Sequence, residues 1–247
     1  MALIESLEKQ GNFLFKYRGQ FPTLLFLLAI PFICFTDYSC INPQLCKALL
    51  FCAVVLSVLG FIIRCYTIGT TPRGTSGRNT KEQVADVLNS TGIYSTVRHP
   101  IYLGNYLIWL GISVFTYSFY FMLVMSLLFW IYYERIMYAE ERFLERKFGI
   151  DYLNWSNKFP AFIPSFKGFV SSDTPFSIIS VLRREYAGVL ATVIGFAFIE
   201  LSRNYFISNK LKLDECMILV LGVTIVVVFI LRNLKHYTQL LNEANRS

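Results

Sequence analysis

The sequence predicts an all-α fold: a polytopic transmembrane helical bundle of about six spans with a cytoplasmic amphipathic helix. Three observations carry that expectation. Hydrophobic residues make up 55% of the 247 positions and charged residues only 16%, with a mean hydropathy of +0.49, whereas an ordinary soluble domain is about a quarter charged. The chain has too little polar surface to face water on every side, so a bilayer must cover it. Apolar runs long enough to cross a membrane, roughly 17–25 residues, occur at about 21–37, 45–68, 101–117, 119–138, 186–206 and 214–234. With a cytoplasmic N-terminus, 19 of the 23 Lys and Arg fall in cytoplasmic segments, leaving only Lys47, Arg203, Lys210 and Lys212 outside. That asymmetry predicts an integral, multi-pass protein with both termini in the cytoplasm.

Taken in order, the first span follows twenty mostly polar residues and lacks a clear small-residue cleavage site, so it is expected to remain in the membrane. The second leads into a glycine-rich, basic segment, Gly69-Thr-Thr-Pro-Arg-Gly-Thr-Ser-Gly-Arg-Asn-Thr-Lys81. The third and fourth are joined at an uncharged turn, Tyr117-Ser118-Phe119-Tyr120, whose aromatics suit an interfacial belt. The fourth runs on into a charged helical stretch from Glu134 to about Lys158, with Phe143, Leu144, Phe148 and Tyr152 at stripe spacing, ended by Pro160 and Pro164. These segments make a membrane-embedded core over 1–168 and a C-terminal transmembrane hairpin over 169–247. In the hairpin, Arg183, Arg184, Glu185, Glu200 and Arg203 read as interface anchors. The six cysteines lie almost entirely in apolar runs with no metal-ligand spacing, which predicts buried, reduced thiols and no metal site.

Two constellations carry chemistry. In Arg98-His99-Pro100-Ile101-Tyr102-Leu103-Gly104, Pro100 suits the first turn of a helix and Gly104 permits close approach of a backbone or ligand. Arg98 and His99 then stand at the positive helix end, where a carboxylate is favoured. The second, from Glu134 to Gly149, places Glu134, Arg135, Glu140 and Glu141 where the fourth span leaves the bilayer, and charges at that depth need partners or an aqueous cavity. The i,i+4 pairs Glu141–Glu145 and Arg142–Arg146 are like-charged, so the helix's own spacing does not supply those partners.

The ordered pair Gly92-x-Tyr94-x-x-Val-Arg98-His-Pro-x-Tyr102-x-Gly104 and Glu140-Glu141-x-x-Leu144-x-x-x-Phe148-Gly149-x-x-Tyr152, followed by Pro160-x-Phe-Ile-Pro164, resembles the isoprenylcysteine carboxyl methyltransferase family over roughly residues 45 to 168. Related integral-membrane phospholipid methyltransferases share the looser pattern. The resemblance implies that S-adenosylmethionine occupies a pocket between the third span and the cytoplasmic helix. Tyr94, His99, Pro100 and Tyr102 would line it, Glu140 would hold the cofactor's amino-acid end, and the acceptor would enter sideways from the lipid. Physical chemistry agrees: the cofactor's ammonium needs a carboxylate, its carboxylate needs donors such as Arg98 and His99, and its cation and adenine need aromatic faces. Arg135 and Glu141 are assigned to the catalytic step. Relatives that methylate carboxylates carry an arginine four residues before the first glutamate; here that position is Ile136, and Arg135 lies one residue earlier, about 100° round the helix.

The acceptor expected is an oxyanion on a lipid or lipid-anchored molecule. Arg73 and Arg78, with neighbouring glycine N–H groups, suit a phosphate, and the chain looks more like the bacterial branch that methylates a lipid A phosphate than like the prenylcysteine enzymes. A non-enzymatic membrane scaffold or carrier reusing the fold is the alternative. Against a carrier, no charged residue occurs between 101 and 133. A homo-oligomer is compatible with the sequence, and nothing in it marks a nucleic-acid partner.

Overall fold

The computed structural model describes residues 2–19, 21–72, 74 and 83–243; Arg73 and Arg78 lie outside them. All regular structure among the described residues is helical: α1 (Leu3–Lys16), α2 (Phe21–Phe35), α3 (Pro43–Thr70), α4 (Pro100–Val114), α5 (Phe119–Phe148), α6 (Ile150–Ser156), α7 (Ile178–Ser208) and α8 (Glu215–Tyr237), with short 3-10 turns at Tyr38–Cys40 and Gly92–Ser95. Helices α3, α5, α7 and α8 are long and apolar enough to cross a membrane, and α2 and α4 are shorter apolar helices. Each of the six expected spans therefore has its helix. The third differs in length: α4 has 15 residues, about 22 Å at 1.5 Å per residue, and the chain then turns at Tyr117, whose φ is 60°.

Helices α3 and α4 meet along a seam of small residues, with Ala53, Ser57 and Gly60 facing Gly104, Ile108 and Gly111. A Cβ on Gly60 would lie 2.6 Å from the Gly104 carbonyl oxygen, and one on Gly111 would lie 2.5 Å from that of Ala53. Apolar lipid offers no hydrophobic drive for helix pairing, so close backbone packing of this kind supplies it. Gly104, expected to admit a ligand, serves this seam instead: its nearest neighbours are the Arg64 Cγ and the Gly60 carbonyl.

Helix α1 has no counterpart among the expected elements. Leu7, Gly11, Leu14 and Phe15 form a helical stripe, and Gly11 packs so closely on α5 that a Cβ there would lie 2.1 Å from the Arg135 carbonyl oxygen. The charges of the α5 extension find partners off the i,i+4 ladder: Arg142 pairs with Glu145 at 2.6 Å, and Arg146 reaches Glu8 of α1 at 2.5 Å. The Arg146 hydrogen bond holds the Glu8 carboxyl below the usual carboxylate range.

The C-terminal hairpin is not anchored as expected. Glu185 and Glu200 are buried. Glu200 accepts from the Asp214 N–H at 2.6 Å, and the Arg203 guanidinium lies 4.6 Å from both the Phe115 and Tyr117 rings while donating to the Phe115 carbonyl. Helix α7 packs against α2, α3 and α4, whereas α8 packs along α7 and buries no residue. The cysteines correct another expectation: Cys34, Cys52 and Cys216 are exposed, and Cys46 and Cys65 half-buried. A thiol is apolar enough for a lipid-facing position, so burial inside protein is not required of it.

Candidate active site

The site forms where α4 begins and α5 emerges from its apolar stretch. His99 is the residue before α4, and Pro100 occupies the first helical turn, where a missing N–H costs nothing. The segment ahead of it is fixed by a neighbouring strand of loop: Arg98 N–H donates to the Pro160 carbonyl at 2.9 Å, His99 N–H to Ala161 at 3.2 Å, and Ser165 N–H to Thr96 at 2.9 Å. The Pro160–Pro164 stretch thus acts as a brace for the Arg98–Pro100 turn. On the other side, α5 stops at Gly149, whose φ of 54° and ψ of −123° suit glycine alone. That corner turns α6 back so that Tyr152 and Trp155 join the cavity wall, and the Trp155 indole N–H donates to the Tyr94 carbonyl at 3.2 Å.

These elements enclose a cavity of about 470 Å³ that Tyr94, Arg98, His99, Pro100, Tyr102, Glu140 and Glu141 all line. His99, 8% exposed, holds Glu141 at 2.8 Å through Nε2, which therefore carries hydrogen. Arg98 adds a cationic contact to the same Glu141 oxygen at 3.2 Å and donates to the Ser156 carbonyl. Glu140 is treated differently. It accepts from the Tyr102 hydroxyl at 2.8 Å, and its other oxygen lies 3.7 Å from His99 Nδ1. One carboxylate is thus locked by a guanidinium and an imidazole, while its chain neighbour accepts from a phenol and shares the cavity with Arg18. The Tyr102 ring stacks on His99 and lies 4.7 Å from that of Tyr133, so an aromatic wall adjoins the Glu140 carboxylate. Burial pushes the Tyr94 phenol up to about 12, leaving it neutral near pH 7.

Arg135 and Gly104 are not brought to this cavity. Arg135 pairs with the adjacent Glu134 at 2.8 Å, and its turn of α5 faces α1, while Ile136 is wholly buried. The reason is angular: one residue of helix is about 100° of rotation, enough to carry the side chain off the cavity face. Assigning Arg135 to the reacting centre is therefore corrected by the geometry, while Glu141 does face the cavity.

Residues that the sequence did not assign to the site also line the cavity. Arg64 of α3 binds Glu185 of α7 through two hydrogen bonds of 2.8 and 2.7 Å. It also donates to the Asn105 side-chain oxygen, and the Asn105 amide donates to the Tyr133 hydroxyl at 3.0 Å. The available signal was an arginine inside the 43–70 apolar helix, since a charge at that depth demands a partner.

A polytopic helical bundle with a polar, carboxylate-bearing cavity at one end of its spans is the class of protein this fold and site define. Residues 48–151 match the phospholipid methyltransferase family. The chain is 28% identical over 128 residues to the protein-S-isoprenylcysteine O-methyltransferase of Schizosaccharomyces pombe, covering 49% of this chain and 54% of that one. It is 29% identical over 132 residues to the nickel-cobalt-cadmium resistance protein NccN of Alcaligenes xylosoxydans xylosoxydans, covering 52% and 59%. It is 30% identical over 102 residues to the cobalt-zinc-cadmium resistance protein CzcN of Cupriavidus metallidurans, covering 41% and 47%. The chain spans about half the length of these curated relatives, and no solved structure matches it. The family match and the methyltransferase relative thus agree in likening the central part of the chain, residues 48–151, to integral-membrane methyltransferases.

Proposed function

We propose that the chain is an S-adenosylmethionine-dependent O-methyltransferase of the membrane that methylates an oxyanion on a lipid or lipid-anchored acceptor, with its site and both termini on the cytoplasmic side. The observation that carries this reading is the pairing of a Glu141 held by Arg98 and His99 with a Glu140 held by the Tyr102 hydroxyl, on the aromatic wall of one cavity. The residues present fit the cofactor. Glu140 suits its ammonium, Arg98 and the His99 turn suit its carboxylate, and Tyr102, Tyr133 and Trp155 offer faces to its cation and adenine. When bound, the cofactor supplies an electrophilic methyl group.

The protein's part is positioning and charge management. His99 and Arg98 fix Glu141, and Glu141 in turn holds the Arg98–Pro100 turn against α5. Tyr102 orients the Glu140 carboxylate. The boundary of apolar and charged α5 lets an acceptor keep its tail in lipid while its head group reaches the cavity. A carboxylate or a phosphate serves equally as acceptor in this chemistry, since both present an ionised oxygen and need no general base.

The test is binding of S-adenosylmethionine to the detergent-purified chain, followed by transfer of its labelled methyl to a prenylcysteine analogue and to a phosphorylated glycolipid. Binding with transfer to either acceptor supports the reading. His99→Ala is expected to weaken cofactor binding about tenfold, worth about 1.4 kcal/mol, and absence of cofactor binding by the wild type defeats the proposal.

A further inference from the structure

The Arg64–Glu185 pair raises a question that the cofactor assignment leaves unanswered. Arg64 is the sole charged residue of α3 after Lys47, and a cation at that depth is costly unless paired or functional. It is paired, yet it also lines the cavity with Glu185, Asn105 and Tyr133, and its side chain retains 18% exposure against 5% for Glu185. Donor accounting separates the two roles. A guanidinium carries five N–H groups; Glu185 takes two of those on Arg64 and Asn105 takes a third, which leaves two for a ligand. Of the other arginines that line the cavity, Arg98 holds Glu141 and the Ser156 carbonyl, Arg18 donates to the Phe15 carbonyl and Arg184 is the chain neighbour of Glu185; Arg64 is the one that stands within the apolar run of α3.

Resting on the methyltransferase reading, we infer that Arg64 orients the acceptor's oxyanion in the cavity and that Glu185, from the C-terminal hairpin, is the positioning residue that holds it there. The charge balance of the reaction explains why such an arginine carries a counter-ion. The acceptor oxygen forms a bond to the methyl carbon as the carbon–sulfur bond breaks, and the electron pair of that bond stays on sulfur. One negative and one positive charge vanish together, and no proton moves. An unpaired cation binds the ionised acceptor more strongly than the transition state, in which that charge is already falling, and so slows the chemical step. An arginine neutralised by Glu185 keeps its directional hydrogen bonds without that excess ground-state attraction. Helix α7 thereby becomes part of the working site rather than an appended hairpin.

The experiment uses the full chain in lipid nanodiscs, with N-acetyl-S-farnesylcysteine and phosphorylated lipid A as separate acceptors. It reads cofactor Kd, acceptor Kd without cofactor, kcat, acceptor KM and thermal midpoint. Glu185→Gln is expected to lower kcat about tenfold with acceptor KM and Kd unchanged or lower, the signature of tighter ground-state binding. Arg64→Met is expected to weaken acceptor Kd about tenfold while cofactor Kd holds. Whichever acceptor shows these changes identifies the oxyanion as carboxylate or phosphate. The double variant R64M/E185M, which removes both charges from the interior, is expected to recover the thermal midpoint but not turnover. Recovery of both, or a fall in cofactor affinity in step with the acceptor's, overturns the inference. If the wild type turns over neither acceptor, the methyltransferase reading falls and takes this one with it; wild-type turnover with unaltered variant kinetics sinks this one alone.

Discussion

Glu140 and Glu141 are adjacent in the chain and flank the same His99 ring, yet their remaining partners differ. The 100° step between consecutive helix positions sends Glu141 to Arg98 and His99 and Glu140 to Tyr102. Removing the charge of each therefore has different consequences. Glu140→Gln is expected to weaken S-adenosylmethionine binding about tenfold with the thermal midpoint little changed, because the Tyr102 contact survives in the amide. Glu141→Gln is expected to lower stability as well, by about 1–3 kcal/mol, since it strips a shared carboxylate from the buried His99 and the half-buried Arg98. Calorimetric titration and a melting curve on each variant separate the two outcomes. The motif residues of this site were legible because they cluster in two short stretches whose residue types suit one ligand. Arg64 and Glu185 were not: 121 positions separate them, and each alone passes for a snorkelling charge at a span end. Arg135 shows the reverse error, a residue of the right type whose helical phase points it at Glu134 and α1.

At the scale of elements, hydropathy located an apolar helix at each of the six expected places, four of them long enough to cross a membrane, because the bilayer imposes length and apolarity directly on sequence. It did not disclose α1, whose few apolar residues have meaning only against α5, nor the seam between α3 and α4, since a glycine facing a backbone and a glycine facing a ligand look alike in sequence. The seam makes a definite demand on side-chain size. Gly111→Leu, where even a Cβ would lie 2.3 Å from Ser57 Oγ, is expected to lower stability in detergent by about 1–3 kcal/mol through overpacking. Gly222 of α8 has no neighbour within 4 Å, so Gly222→Leu in the same assay is expected to leave stability unchanged. Equal losses at the two positions would contradict the seam.

For the molecule as a whole, the division of labour runs from α3 and α4, locked backbone to backbone, to α8, which buries nothing. The cavity draws its wall from six helices spread along the chain: α1, α3, α4, α5, α6 and α7. A site assembled this way is set by how the helices are placed along and around one another, more than by any one loop. Helix α5 makes the point most sharply, running unbroken for 30 residues from Phe119 to the corner at Gly149. It works as a threaded rod: its apolar length fixes how far Glu140 projects, and its pitch fixes the direction in which Glu140 points. A single alanine inserted between Val124 and Met125 leaves the span as greasy as before, yet turns every group beyond it by about 100° and advances it about 1.5 Å. Such an insertion is expected to abolish cofactor binding while membrane insertion and expression persist; the same insertion in α8 is expected to be silent. Evolution can accordingly rewrite the letters of α5's lipid-facing side with ease, but it cannot change their number.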